Sequence, residues 1–236
     1  MVFASFPDSR SKPLLFTMNF RIDAPKPFIL LLPLVGMGLF IVLYVIAALN
    51  YPGGSFAMPN KNGFSFWNNY LCDLLDHYAI NGELNSARYF ARASLAILCA
   101  SLLLLWAYLP LFFPVKSYNR SIMWLSGILS LGTTFFLTSG THDITLRIAG
   151  IFGALAFITC FIELFKIGYF KLFIFGVVCL FIFMVNYYSY ETGAFIRLLP
   201  IIQKLTFICC ILWFLFLNIS FYKRLKSISN EHNNTE

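Results

Sequence analysis

The sequence predicts an all-α integral membrane protein, a six-helix transmembrane bundle, and three observations lead there. Of 236 residues, 59% are hydrophobic and only 11% charged. A soluble domain carries about a quarter charged residues. The mean hydropathy of +0.77 means more apolar surface than one water-bound core of this length can hide. Finally, the apolar residues fall into six runs, each long enough to cross ~30 Å of hydrocarbon at ~1.5 Å per residue. These runs place helices at 28–49, 87–113, 121–140, 145–167, 169–188 and 197–222.

Taken in order, residues 1–27 are polar and mixed and form an N-terminal tail. The apolar run after them is too long for a cleavable signal and lacks a small-residue cleavage site, so it is expected to stay as the first anchor. Pro33 falls in the first turns of helix 1, where a missing N–H costs little. Tyr51-Pro52-Gly53-Gly54 ends that helix sharply and opens a long loop, 50–86. Within the loop, apolar residues at 64, 67, 70/71, 74/75 and 78 keep helical spacing, with the charges of Asp73, Asp76 and His77 on the other side. That pattern predicts a short amphipathic helix over 63–77, lying at the outer interface or tucked into the bundle mouth. Asn85 or Ser86 is then placed to cap helix 2.

Helices 3 and 4 are separated only by Thr141–Ile144, and helices 4 and 5 by less. Such tight hairpins force antiparallel neighbours. Ala149/Gly153 and Gly150/Ala154 on helix 4, with Gly36, Gly38 and Gly127, mark faces where backbones can approach closely. Six cysteines lack any CxxC spacing and read as free thiols. Residues 223–236 form a C-terminal tail.

Basic residues set the orientation. With both termini in the cytoplasm, eleven Lys and Arg face inward: four between Arg10 and Lys26, then Lys116, Arg120, Lys166, Lys171 and three between Lys223 and Lys226. Three, Lys61, Arg147 and Arg197, face outward. This excess puts both termini inside. The net charge of +7 is thus a topology signal, and no nucleic-acid partner is expected. The expected partners are membrane lipids, joined by a protein partner in the membrane if the chain is an accessory subunit.

The order YPGG at 51–54, FSFWNNYLCDLLD at 64–76 and NGELNSAR at 81–88, entering a helix, resembles the domain of unknown function 998 family, over roughly residues 28–220. Those are bacterial and archaeal multi-pass membrane proteins with a Ser-Asp-Leu-type motif after the first helix. This chain has Cys72-Asp73-Leu74 in that place. The resemblance implies a multi-helix fold in a bacterial cytoplasmic (inner) membrane, and supplies no activity and no catalytic residues.

Ionisable residues near membrane depth concentrate at the outer end: Asp73, Asp76, His77, Arg88, Arg92, His142, Asp143, Arg147, Glu191 and Lys204. Charges at such depth face a cavity or a partner, so they form either an outer polar mouth or a set of closed ion pairs. Asp73 with His77, and His142 with Asp143, offer two nitrogens and two carboxylates to a divalent metal. Arg88 and Arg92, one turn apart, suit either a lipid phosphate or the carboxylates of Asp73 and Asp76. Lys204 lies about 10 Å into helix 6 and needs an internal partner, with Asn186 and Glu191 nearest and the Asp73/Asp76 segment next. Glu163 and Lys166 read as a local pair near the inner side. The chain has no GxSxG, HExxH, Walker loop, strand-linked GxGxxG or CxxCH, and no cofactor is expected. Three functional classes remain: an accessory or structural membrane protein, a binder or transporter of a small molecule or lipid at the outer mouth, and a lipid-active enzyme using the Asp/His cluster.

Overall fold

The computed structural model describes residues 25–113, 117–136 and 142–233, with the side chains of His142 and of residues 228–233 outside that description. Among the described residues six α-helices form and no β-strand. A 3-10 turn, Pro27–Leu30, leads into α1, Leu31–Leu49. Helix α2, Ala87–Tyr108, continues into a second such turn, Leu109–Phe112. Then come α3, Tyr118–Thr134; α4, His142–Lys166; α5, Phe170–Thr192; and α6, Leu199–Asn233.

Among the described residues five segments are long and apolar enough to cross a membrane: Pro27–Leu49, Ala87–Phe112, Asp143–Lys166, Phe170–Thr192 and Leu199–Ser227. Helix α3 has 17 residues, about 25 Å of rise, a little short of the ~30 Å hydrocarbon core. Helix α6 runs past the end of its apolar stretch, because the residues after Tyr222 are polar but helix-compatible. The outward faces carry bare Val35, Leu39, Val42, Ile151 and Phe181, a surface suited to lipid rather than water.

The helices follow one another around a ring, with α1 on α2, α3 on α4 and α5 on α6 as the most extensive pairings. Helices α1 and α6 close the ring with the lightest contact, made largely through the Pro27–Leu30 turn. The end carrying the 50–86 loop and the α5–α6 connection is termed outer, and the other end inner.

The main core fills the inner half. Trp106 of α2, Phe157 and Phe161 of α4, and Trp213 and Phe214 of α6 interlock, with ring centroids 5.1 Å apart for Phe157–Trp213 and 6.2 Å for Trp106–Phe214. Both indoles satisfy their N–H on backbone: Trp106 Nε1 donates to the Met123 carbonyl at 3.0 Å and Trp213 Nε1 to Leu172 at 2.9 Å. Gly127 makes the first contact possible, since a Cβ there would lie 1.9 Å from Trp106 Nε1. On the α3–α4 face, Ser130 Oγ donates to the Ala149 carbonyl at 2.8 Å, a close approach that the small residues of α4 permit.

Candidate functional site

Among the described residues the 50–86 loop is the one long stretch outside the helices, and its shape is set by hydrogen bonds to backbone from both backbone and side chains. Gly54 N–H donates to the Lys61 carbonyl at 2.6 Å and Gly63 N–H to Pro52 at 2.9 Å, closing the first arm on itself. Gly54 has φ +82°, and a Cβ there would meet Asn81 N at 2.5 Å, so only glycine fits. The second arm closes where Ala79 N–H donates to Glu83 and Asn85 N–H to His77.

The amphipathic helix predicted over 63–77 does not form. Only Cys72–Leu75 make a single 3-10 turn. Polar side chains take over the groups a helix would have used. Asn69 Oδ1 accepts from Ser65 N–H at 2.8 Å, Asn68 Nδ2 donates to Ser65 Oγ at 2.9 Å, and Asp73 Oδ2 accepts from Tyr70 N–H at 2.9 Å. Side chains of this kind compete with helical hydrogen bonds, and here they outweigh the apolar spacing. Leu74 is fully buried while Trp67 is 63% exposed, so the apolar residues do not share one face.

The resulting plug descends between the outer ends of α1 and α6. Asn69, fully buried, is its hub. Its Nδ2 donates to the Gly54 carbonyl at 2.7 Å and to Asp73 Oδ2 at 2.8 Å, and its own carbonyl accepts from Lys204 Nζ at 2.5 Å. Lys204 also donates to the Pro200 carbonyl at 2.9 Å and lies 5.7 and 5.2 Å from the ring centres of Phe64 and Phe66. Next to it, Gln203 Oε1 accepts from Leu71 N–H at 2.7 Å, and from α1 the Tyr44 hydroxyl donates to the Leu71 carbonyl. Lys204 thus finds its partner in the loop that comes down to meet it, not in Asn186 or Glu191. Burial raises the Asp73 carboxyl above its ordinary range, against the opposing pull of its Asn69 and Tyr70 hydrogen bonds. Burial likewise pushes the Cys72 thiol up to about 11, which keeps it un-ionised at neutral pH.

Beneath the plug, α1 and α6 part and leave a groove of about 330 Å³. Phe40 and Tyr44 form one wall, Phe207 and Ile211 the other, and Phe66 and Leu71 the roof, with Lys204 at the roofed end. Apart from that lysine and the tyrosine hydroxyl, the lining is hydrocarbon and aromatic ring.

The remaining residues singled out from the sequence gather in separate places. His77 Nδ1 bonds Arg88 Nη1, which also donates to the His77 carbonyl at 3.1 Å, while Arg88 Nη2 reaches the Tyr89 hydroxyl at 2.8 Å. Arg92 clamps the Leu75 carbonyl with Nε and Nη2 at 3.1 and 2.9 Å. The Asp76 carbonyl accepts from Asn85 Nδ2 at 2.9 Å, and Asn85 Oδ1 accepts from Ala87 N–H at the start of α2. Across α4 and α5, Glu191 takes Arg147 through both oxygens at 3.0 and 3.1 Å, and Asp143 accepts from the Tyr190 hydroxyl. The His142 side chain lies outside the described residues. Among the described residues no group of three His, Cys, Asp or Glu side chains is placed to hold a metal ion. None of the six cysteines is in a disulfide.

At the inner end Glu163, 3% exposed, accepts from Lys166 at 2.9 Å, Asn119 at 2.9 Å and Ser117 at 3.1 Å, so the pair read from spacing is part of a four-residue cluster joining α3 to α4. Sequence reasoning missed Asn69, Tyr44 and Phe64. The Asn68-Asn69 doublet after Gly63 was a turn signal that pointed to the first of these. Comparison with protein-family models, with curated proteins and with solved structures finds no match to this chain.

Proposed function

We propose that the chain crosses a bacterial cytoplasmic membrane six times, with both termini in the cytoplasm, and binds the hydrocarbon chain of a lipid in the α1–α6 groove. One observation carries this reading: an apolar groove of about 330 Å³ between two membrane-spanning helices, under a polar roof. That is roughly twice the volume of an engineered apolar cavity that admits benzene. Its walls offer dispersion contact along a chain and almost nothing to a polar solute. The excess of basic residues at the inner end supports the orientation, and the order of the loop motifs alone supports kinship with the domain of unknown function 998 family.

The test is native mass spectrometry of protein extracted in mild detergent. One lipid is expected to stay bound, and Val45→Trp, which fills the groove from an already half-exposed position, is expected to lose it. Equal retention by both proteins would sink the assignment. A second reading, an accessory protein working through a membrane partner, draws on one feature: outer-end polar groups such as Asn69, Arg92, Arg147 and Glu191 are held in internal bonds that shape the fold. Co-purification of one stoichiometric partner, with the groove empty, would favour it.

A further inference from the structure

Lys204 brings an amine to the roofed end of the groove, and its direct contacts are neutral. Lys204 is 3% exposed, and its amine donates to two backbone carbonyls, those of Asn69 and Pro200. Two phenylalanine rings flank it at 5.2 and 5.7 Å. Among the described residues no carboxylate reaches ion-pair distance of it: Glu191 is taken by Arg147 and Glu163 by Lys166, at the far end of the bundle. Asp73 is linked to it only through Asn69, whose amide binds the carboxylate while its carbonyl binds the ammonium. A cation withdrawn from water and held by neutral dipoles gains strongly from an anion beside it.

Resting on the groove reading above, we infer that the occupant is a long-chain carboxylate of the fatty-acid class, with its head group at Lys204 and its tail running inward between α1 and α6. Three features select this class. The groove below Lys204 is apolar from Tyr44 down to Phe40 and from Phe207 to Ile211, which suits a single alkyl tail. Lys204 is the one basic side chain on that lining, so the head carries one small anionic group. The plug covers the end of the groove at Lys204, where Leu71 is tied to both Tyr44 and Gln203, which favours a compact head over a glycerophosphate. Phe66, half exposed on the outer surface and packed over the ammonium, is the side chain that must move for a carboxylate to enter. The bound direction, head outward and tail toward the bilayer centre, is that of the surrounding outer-leaflet lipids.

The experiment titrates delipidated full-length protein in detergent at pH 8 with hexadecanoate, with hexadecanol as its neutral counterpart, and with a diacyl phosphatidylglycerol. Binding is read by native mass spectrometry and by thermal stabilisation. Hexadecanoate is expected to bind wild type about tenfold more tightly than hexadecanol, and Lys204→Gln is expected to abolish that preference while still binding the alcohol. Equal binding of acid and alcohol by wild type overturns the inference and leaves the groove reading intact. Tighter binding of the phospholipid than of hexadecanoate also overturns it. Failure of all three probes to bind overturns both readings. If Lys204→Gln does not fold, the comparison on wild type still decides, with Val45→Trp as the control that must bind none of the three.

Discussion

The two ends of the bundle are closed by different means. At the inner end, aromatic rings do the work: Phe112 is fully buried and meets Phe113, Tyr169 and Phe221 at centroid distances of 5.3, 5.0 and 5.4 Å. A few buried polar groups join the rings there, as in the cluster around Glu163. At the outer end, a loop almost without regular structure is held by hydrogen bonds that converge on Asn69, Asp73 and Asn85. Packing by rings tolerates small shifts of a helix, because dispersion falls off gradually with each contact. A buried polar network does not, because each unmade bond leaves a group without water or partner. The inner end is therefore the stable base, and the outer end is the part that a ligand can reshape.

The largest expected effect breaks the base. Trp213→Ala removes a fully buried ring and its bond to Leu172, and is expected to cost about 4 kcal/mol, measured by reversible unfolding in mixed micelles. Helix content should fall with it. Next, Asn69→Leu is expected to cost about 3 kcal/mol, but in a different place: limited proteolysis should cut within 50–86 while the helical signal holds. If Asn69→Leu lowered helix content as far as Trp213→Ala does, the two ends would not be independent and the contrast would fail.

A smaller effect sharpens the comparison through pH. Because burial raises the Asp73 carboxyl in the folded loop, the folded state holds that proton more tightly than the unfolded one. Its contribution is therefore full below the ordinary carboxylate range and is lost as pH rises through the raised value. Protease resistance of the loop should decline over that interval in wild type and stay flat in Asp73→Asn. An unchanged slope in Asp73→Asn would assign the dependence to another group. The smallest effect is at the inner rim. Lys166 is half exposed, and Lys166→Ala is expected to cost no more than about 1 kcal/mol, since Asn119 and Ser117 still hold Glu163. A loss as large as that of Asn69→Leu would mean that the inner end also depends on a polar network.

The helices were legible because a long apolar run states its length directly, whatever faces which neighbour. The same logic misjudged the end of α6, since hydropathy marks where lipid stops, and the helix continues to Asn233. The plug was not legible in this way. Residues 64, 67, 71 and 74 repeat at helical intervals, yet Ser65, Asn68, Asn69 and Asp73 each satisfy local backbone or one another more cheaply than a helix would. For Lys204 the sequence stated the need for a partner but not its identity. The candidates read from the tight helix 5–6 connection, Asn186 and Glu191, sit on α5, whereas one of the two carbonyls it uses is 135 positions away.

That separation has a consequence for how the protein is made. Two bonds that hold the plug, Leu71 to Gln203 and Lys204 to Asn69, join residues 132 and 135 positions apart. A chain is synthesised from its N-terminus, so the loop is made well before the helix that secures it exists. Until α6 enters the bilayer, the carbonyl of Asn69 and the N–H of Leu71 await their partners, and the groove has only one wall. A chain arrested after α5 leaves this loop open and cleavable. Arrival of the last helix thus completes both the plug and the second wall of the groove.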